Sequence, residues 1–193
     1  MLGEAEAIDL AELVESVVET TRPVAAQREA RLELQAEGAL KVRGDRFLLT
    51  QAVGNLLDNA LDFSPQAGRI LVAVHPLEDQ TEIEIRDQGP GIQDYALERV
   101  FERFFSLPRP DGGRKGTGLG LSFVREVAHL HGGSVHLENL PPRQSRGRPY
   151  PAQAAAESVA CTRSPQLGRW RGTLGSSDLA LRFSGCSDAS TRR

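Results

Sequence analysis

The sequence predicts an α/β two-layer sandwich, with helices packed on one face of a mixed sheet. Two observations predict it. Stretches with helical spacing of apolar residues succeed short strand-like runs in the order helix, strand, helix, two strands, helix, loop, helix, strand. The 193 residues are 39% hydrophobic and 25% charged, ordinary values for one well-cored soluble domain with length to spare.

Each element follows from its residues. Residues 9–26 set Leu10, Leu13, Val14, Val17 and Val18 on one helical stripe, with Pro23 near the end. Residues 31–35 alternate as a short strand. Asp45 is placed to cap a long helix containing Phe47, Leu48, Val53, Leu56, Leu57 and Ala60, closed by Pro65 and Gly68. Strands over 69–75 and 81–86 are joined by a polar turn at Glu78 and Asp79. A Gly-rich turn leads into a short helix over 94–105. Residues 106–116 hold two prolines, three glycines and three basic residues, and read as a mobile loop. A helix over 118–131 and a strand over 134–138 follow.

Charge limits what this domain can bind. Residues 1–140 carry 14 Lys/Arg against 23 Asp/Glu, whereas residues 141–193 carry 9 against 3. So acidic a first part argues against a nucleic-acid surface. A polyanion bound there needs local devices: helix N-termini, Gly-rich backbone and a metal ion. No run approaches the roughly 18 apolar residues of a membrane span. The acidic, amphipathic N-terminus does not read as a signal peptide. Cys161 and Cys186 have neither metal-ligand nor disulfide-framework spacing. The expected location is the cytoplasm.

Three constellations carry chemistry. Asn55 and Asn59 lie four apart on the long helix and share one face, near Gln51 and Asp62 or Phe63. Asparagine is a poor helix-interior residue, so two in register suit either a solvated polar face or neutral oxygen donors for Mg²⁺ and phosphate oxygens. Asp87-Gln88-Gly89-Pro90-Gly91-Ile92 follows a strand directly. There a carboxylate can accept from a ligand amino group while the glycines admit a planar base, although a tight turn would read the same. Lys115-Gly116-Thr117-Gly118-Leu119-Gly120-Leu121 opens a helix, where backbone N–H groups and the helix dipole favour an anion. It is neither a Walker A loop nor a dinucleotide fingerprint, and a linker would rarely interleave leucines with the glycines.

Taken in order, these motifs resemble the catalytic ATP-binding domain of bacterial sensor histidine kinases, in the GHKL superfamily shared with gyrase B, Hsp90 and MutL. Residues 51–65 (QAVGNLLDNALDFSP) are similar to the N box, 87–92 to the G1 box, 100–105 (VFERFF) to the F box and 116–121 to the G2 box. His131-Gly132-Gly133 is similar to the common H-G-G before the next strand. The resemblance covers about residues 8–140, and the wording DNALDFSP is similar to that of CreC-type kinases. It implies the Bergerat (GHKL) ATPase fold, with ATP and Mg²⁺ bound. It also implies roles: Asn59 on the metal, Asn55 on phosphate or the metal's water shell, Phe63 stacked on adenine. Asp87 would accept from the adenine amino group, with Gly89, Gly91 and Ile92 beside it. Lys115, Gly116, Thr117, Gly118, Leu119, Gly120 and Leu121 would line the phosphates, and Arg103 would reach the γ-phosphate. Phe101 and Phe104 would anchor the base of the lid as core residues. Where many relatives carry Lys or Arg, Asp62 stands, so neutralisation is expected from Lys115, Arg103 and Mg²⁺, with Asp62 turned to solvent.

The expected function is transfer of the ATP γ-phosphoryl group to a histidine. Its expected partners are a phosphoacceptor hairpin and a response regulator, and its parent an inner-membrane homodimer. His75, His129, His131 and His136 all lack the context of an acceptor histidine, so that hairpin is expected to lie outside this chain. Residues 1–26 then read as a lead-in helix and 27–140 as the catalytic domain. Rival readings are a serine kinase of the anti-sigma-factor type, a non-catalytic nucleotide module, or a gene remnant. Residues 141–193 hold nine arginines, eight serines and no lysine, and they lose the family pattern after Asn139-Leu140. They read as a disordered tail or, preferably, an out-of-frame one, leaving the sheet without its final strand and with an exposed edge.

Overall fold

The computed structural model describes residues 5–36, 38–77, 80–110, 112, 116–139 and 177–184. Among them the chain forms β1 (Glu6–Asp9), α1 (Leu10–Gln27), β2 (Arg31–Ala36), β3 (Lys41–Gly44), α2 (Arg46–Phe63), β4 (Arg69–Leu77) and β5 (Gln80–Asp87). Then follow α3 (Asp94–Leu97), α4 (Gly120–Leu130), β6 (Ser134–Glu138) and β7 (Ser177–Ser184). The two-layer α/β sandwich is as expected. Its main sheet runs β2-β4-β5-β7-β6, parallel between β2 and β4 and antiparallel elsewhere. Helices α1, α2 and α4 pack along it, α1 against β2 and β4, α2 against β5, and α4 against β6 and β7.

One core joins the layers. Leu10, Leu13, Val14, Val17 and Val18 of α1 meet Leu49, Val53, Leu56 and Leu57 of α2. Ile70, Val72 and Val74 of β4 and Ile83 and Ile85 of β5 form the floor, and Val124, Val127 and Ala128 of α4 complete it. Strand alternation does more than fill this floor. The parity that buries Thr81, Ile83 and Ile85 also turns Asp87, at the strand end, to the helix side, where it is 6% exposed. Helix starts follow sequence chemistry: Asp9 accepts from the Ala11 and Glu12 amides, and Asp45 from the Leu48 amide.

Four expectations are corrected. Helix α1 is no lead-in: its apolar stripe belongs to the single core, and β1 pairs antiparallel with β3. The helix over 94–105 shrinks to Asp94–Leu97, followed by tight turns up to Phe105, because Phe104 takes φ +68° and its amide donates to Gly118 O at 2.9 Å. For the same reason α4 starts at Gly120 rather than 118: Gly118 is left-handed (φ +69°), and a Cβ there would lie 2.6 Å from Phe104 C. The lost final strand is supplied by β7, set between β5 and β6 with Leu181 opposite Ile83 and Leu179 opposite Ile85. Leu179, Leu181 and Phe183 do alternate in sequence, but the run is too short to show a period across the Arg/Ser-rich tail. The remainder of that tail, 141–176 and 185–193, and the turn at Glu78 and Asp79 lie outside the described residues. Among the described residues no helix is long and apolar enough to cross a membrane.

A half-buried clip ties the helix layer together. His131, at the end of α4, accepts the Asp45 amide on Nε2 (2.9 Å), while Nδ1 donates to Val127 O at 2.7 Å. The ring fits only because residue 44 is glycine, where a Cβ would lie 2.5 Å from His131 Cδ2. Replacing His131 by Ala strands the amide that starts α2 and should cost about 1–3 kcal/mol, read by urea denaturation. A change too small to resolve would refute this role.

Candidate active site

The two outer faces of α2 and the start of α4 enclose a cleft of about 560 Å³, within the roughly 300–1,000 Å³ of small-molecule sites. Helix α2 supplies one wall with Asn55, Asp58, Asn59, Asp62 and Phe63. Val24 and Arg28 close the α1 end, Ile92 and Val100 another side, and the segment from Phe105 to Leu121 covers the rest through Phe105, Ser106, Leu107, Arg109, Gly116, Thr117, Gly118, Gly120 and Leu121.

The α2 wall is built by helical spacing. Asn55 and Asn59, and likewise Asp58 and Asp62, stand one turn apart, while Leu56, Leu57 and Ala60 between them go to the core. Asn59 Nδ2 is buried and has no hydrogen-bond partner among the described residues. A buried amide donor left open costs about 1–3 kcal/mol, so a ligand acceptor is the natural complement. Asn55 Oδ1 lies beside Gly120, where a Cβ would approach it to 3.4 Å. That glycine lets the N-terminus of α4 come close to the amide wall. No side chain caps α4 at Leu119, so its first backbone N–H groups, with Gly120 and Leu121 in the lining, are available to an anion.

The turn after β5 is held from three directions. The Gly89 amide donates to Asp87 Oδ1, and a Cβ at Gly89 would meet that oxygen at 2.7 Å and Phe63 O at 2.9 Å. Gln88 Oε1 accepts from the Arg69 amide at 3.0 Å. Asn139 clamps Ile92, accepting its amide at 3.1 Å and donating to its carbonyl at 2.6 Å.

Of the residues singled out from sequence, Asn55, Asn59, Phe63, Ile92, Gly116, Thr117, Gly118, Gly120 and Leu121 are brought together in the lining. Asp87 and Gly89 stand immediately behind Phe63, outside the lining. Gly91 and Leu119 are also outside the lining. Lys115 lies outside the described residues. Three readings change. Arg103 is exposed and outside the cleft, whose described cations are Arg28 and Arg109. Phe104 is no core anchor: its left-handed backbone turns it out to 77% exposure, and Phe105 lines the cleft instead, stacked on the Arg99 guanidinium at 4.6 Å. Asp62 does not face open solvent. Its carboxylate pairs with Arg109 and, at 3.5 Å, with Arg28. Arg28, Arg109 and Asn139 escaped the sequence reading because their roles depend on contacts across more than 30 residues.

Comparison with known proteins places this cleft in a family. The family model for histidine kinase-, DNA gyrase B-, and HSP90-like ATPases matches residues 44–150. The chain is similar to the sensor protein CreC of Escherichia coli (strain K12), 43% identical over 134 residues, covering 69% of this chain and 28% of that protein. It is also similar to the sensor protein ChvG of Agrobacterium fabrum, 34% identical over 147 residues, covering 72% and 25%. Thus the chain spans about a quarter of the length of these relatives. The solved structure of the mycobacterial sensor histidine kinase MprB superposes with a TM-score of 0.68 at 27% identity, covering 94% of this chain and 97% of that one. The chain therefore belongs to the histidine kinase-, DNA gyrase B- and HSP90-like ATPase family, as a catalytic domain of the sensor histidine kinase type.

Proposed function

We propose that this cleft binds ATP with Mg²⁺ and presents the γ-phosphoryl group to a histidine on a helical hairpin of the whole kinase, outside residues 1–193. The observation that carries the reading is the open, buried Asn59 amide facing a cleft rimmed by Gly116–Gly118 and the uncapped start of α4. Asn59 would hold Mg²⁺ through its amide oxygen, leaving Nδ2 to donate to a phosphate oxygen, and Asn55 would contact phosphate or the metal's water shell; the ion when bound neutralises phosphate charge. Phe63 would lie against the adenine, and Asp87 would accept from its amino group. Gly116, Gly118 and Gly120 would let backbone N–H groups reach the phosphates. In the transfer, the histidine Nε2 lone pair forms the new N–P bond. The bond from Pγ to the β-phosphate oxygen breaks, and ADP leaves with its electron pair. Such a loose transition state needs positioning and charge stabilisation more than covalent help. A response regulator is the proposed next acceptor, and an inner-membrane homodimer the proposed parent, with this domain on the cytoplasmic side.

ATP titration tests the pocket: Asn59→Ala and Asp87→Asn should each weaken binding about tenfold or more. Unchanged affinity in both would remove the assignment.

Electrostatics of the same wall give a second expectation. Partial burial first, and then the neighbouring Asp62 charge, push the Asp58 carboxyl above its ordinary 3.8. A carboxyl whose folded pKa is raised opposes folding once ionised, so its penalty is absent below the unfolded value and present above the folded one. Asp58→Asn should therefore stabilise the domain at neutral pH, with the gain vanishing as pH falls below the ordinary aspartate value. Chemical denaturation across pH would show it, and a gain that grows toward acid would contradict it.

A further inference from the structure

Asp62 is three residues past Asn59 on the cleft-facing side of α2, where a lone carboxylate would repel a polyphosphate. It is not alone. One oxygen, Oδ1, takes Arg28 Nη2 at 3.5 Å, and the other, Oδ2, takes Arg109 Nη2 in a closer contact. Arg28, at the C-cap of α1, is also fixed by donating to Leu61 O at 2.8 Å. Arg109 follows Phe105, Ser106 and Leu107 in the lining, beyond the Phe104–Gly118 hydrogen bond. All three side chains are partly buried, and all three line the cleft. Two guanidinium groups thus meet on one carboxylate, with the Asp58 carboxyl one turn away on the same wall. Each guanidinium also has five N–H donors in a planar fork, more than one carboxylate oxygen can accept.

We infer that Asp62 is a positioning residue, which holds Arg109 of the covering segment and Arg28 of the α1 end together at the cleft as a paired cationic subsite for the phosphates of the nucleotide. The inference rests on the ATP reading above. The acidic residue at this position is then a scaffold for two cations drawn from distant parts of the chain.

The test is titration of the 193-residue chain and its variants with Mg²⁺·ATP and, separately, with adenosine, which has the base and sugar but no phosphate. Arg109→Ala and Asp62→Ala should each weaken ATP about tenfold while leaving adenosine affinity unchanged. Asp62→Glu, which keeps the carboxylate, should recover most of the ATP affinity. The sign of the Asp62→Ala effect decides between scaffold and repeller: tighter ATP binding overturns the inference. So does no change in ATP affinity, or an equal loss for ATP and adenosine, which would mark a tie that merely holds the fold. Failure of the unmodified chain to bind ATP, by contrast, removes the nucleotide reading and this inference with it.

Discussion

Helix α2 has to serve two environments at once, and the rest of the molecule is arranged around that demand. Leu49, Ala52, Val53, Leu56, Leu57 and Ala60 are buried in the core. The turns between them expose Asn55, Asp58, Asn59 and Asp62 to the cleft. The 3.6-residue period allows both only if the helix cannot rotate. Its N-terminus is fixed by the Asp45 cap and by His131 reaching across from α4. Its C-terminus is fixed where Gly89 packs against Phe63 O and Arg28 donates to Leu61 O. A rotation of one residue would send the amides into hydrocarbon and a leucine into the cleft.

The electrostatics follow from the same economy. A domain with an excess of acidic residues offers no broad positive field, so a polyanion must be held by short-range features. The start of α4, the glycine turns before it and the Asp62 arginines are the features proposed for this. Each acts over a few ångströms and is screened little by salt because it is partly enclosed. The acidic surroundings then disfavour anions that fit the cleft poorly.

Much of this was legible in the residues. Periodicity located α1, α2 and α4 and the strands β2, β4, β5 and β6, because burial on one face leaves a repeating mark in sequence. Asp45 was legible as a cap because capping is local. The glycines of the cleft were legible because backbone approach demands them. What could not be read were the long-range pairings. Arg28 and Arg109 are 34 and 47 positions from Asp62, and no local rule joins them. The β1–β3 pair, with four residues in each strand, is too short to carry a period. The outward turn of Phe104 came from a backbone constraint at Gly118, which a reading of apolar residues as core would miss.

Strand β7 is the last described element in sequence but the fourth of five in the sheet, with β5 on one side and β6 on the other. During synthesis, β6 therefore emerges before its described partner, and β5 before its second one, until residue 184 is out of the ribosome. The elements up to α4 can assemble the α1 side, yet the strands beneath α4 must wait. Pairing across so many residues is slow to find, and a waiting sheet edge can recruit another chain. A nascent or clipped chain ending before Ser177 would thus be prone to edge-to-edge association while still holding most of its cleft residues, so solubility and ligand binding in this domain can fail separately.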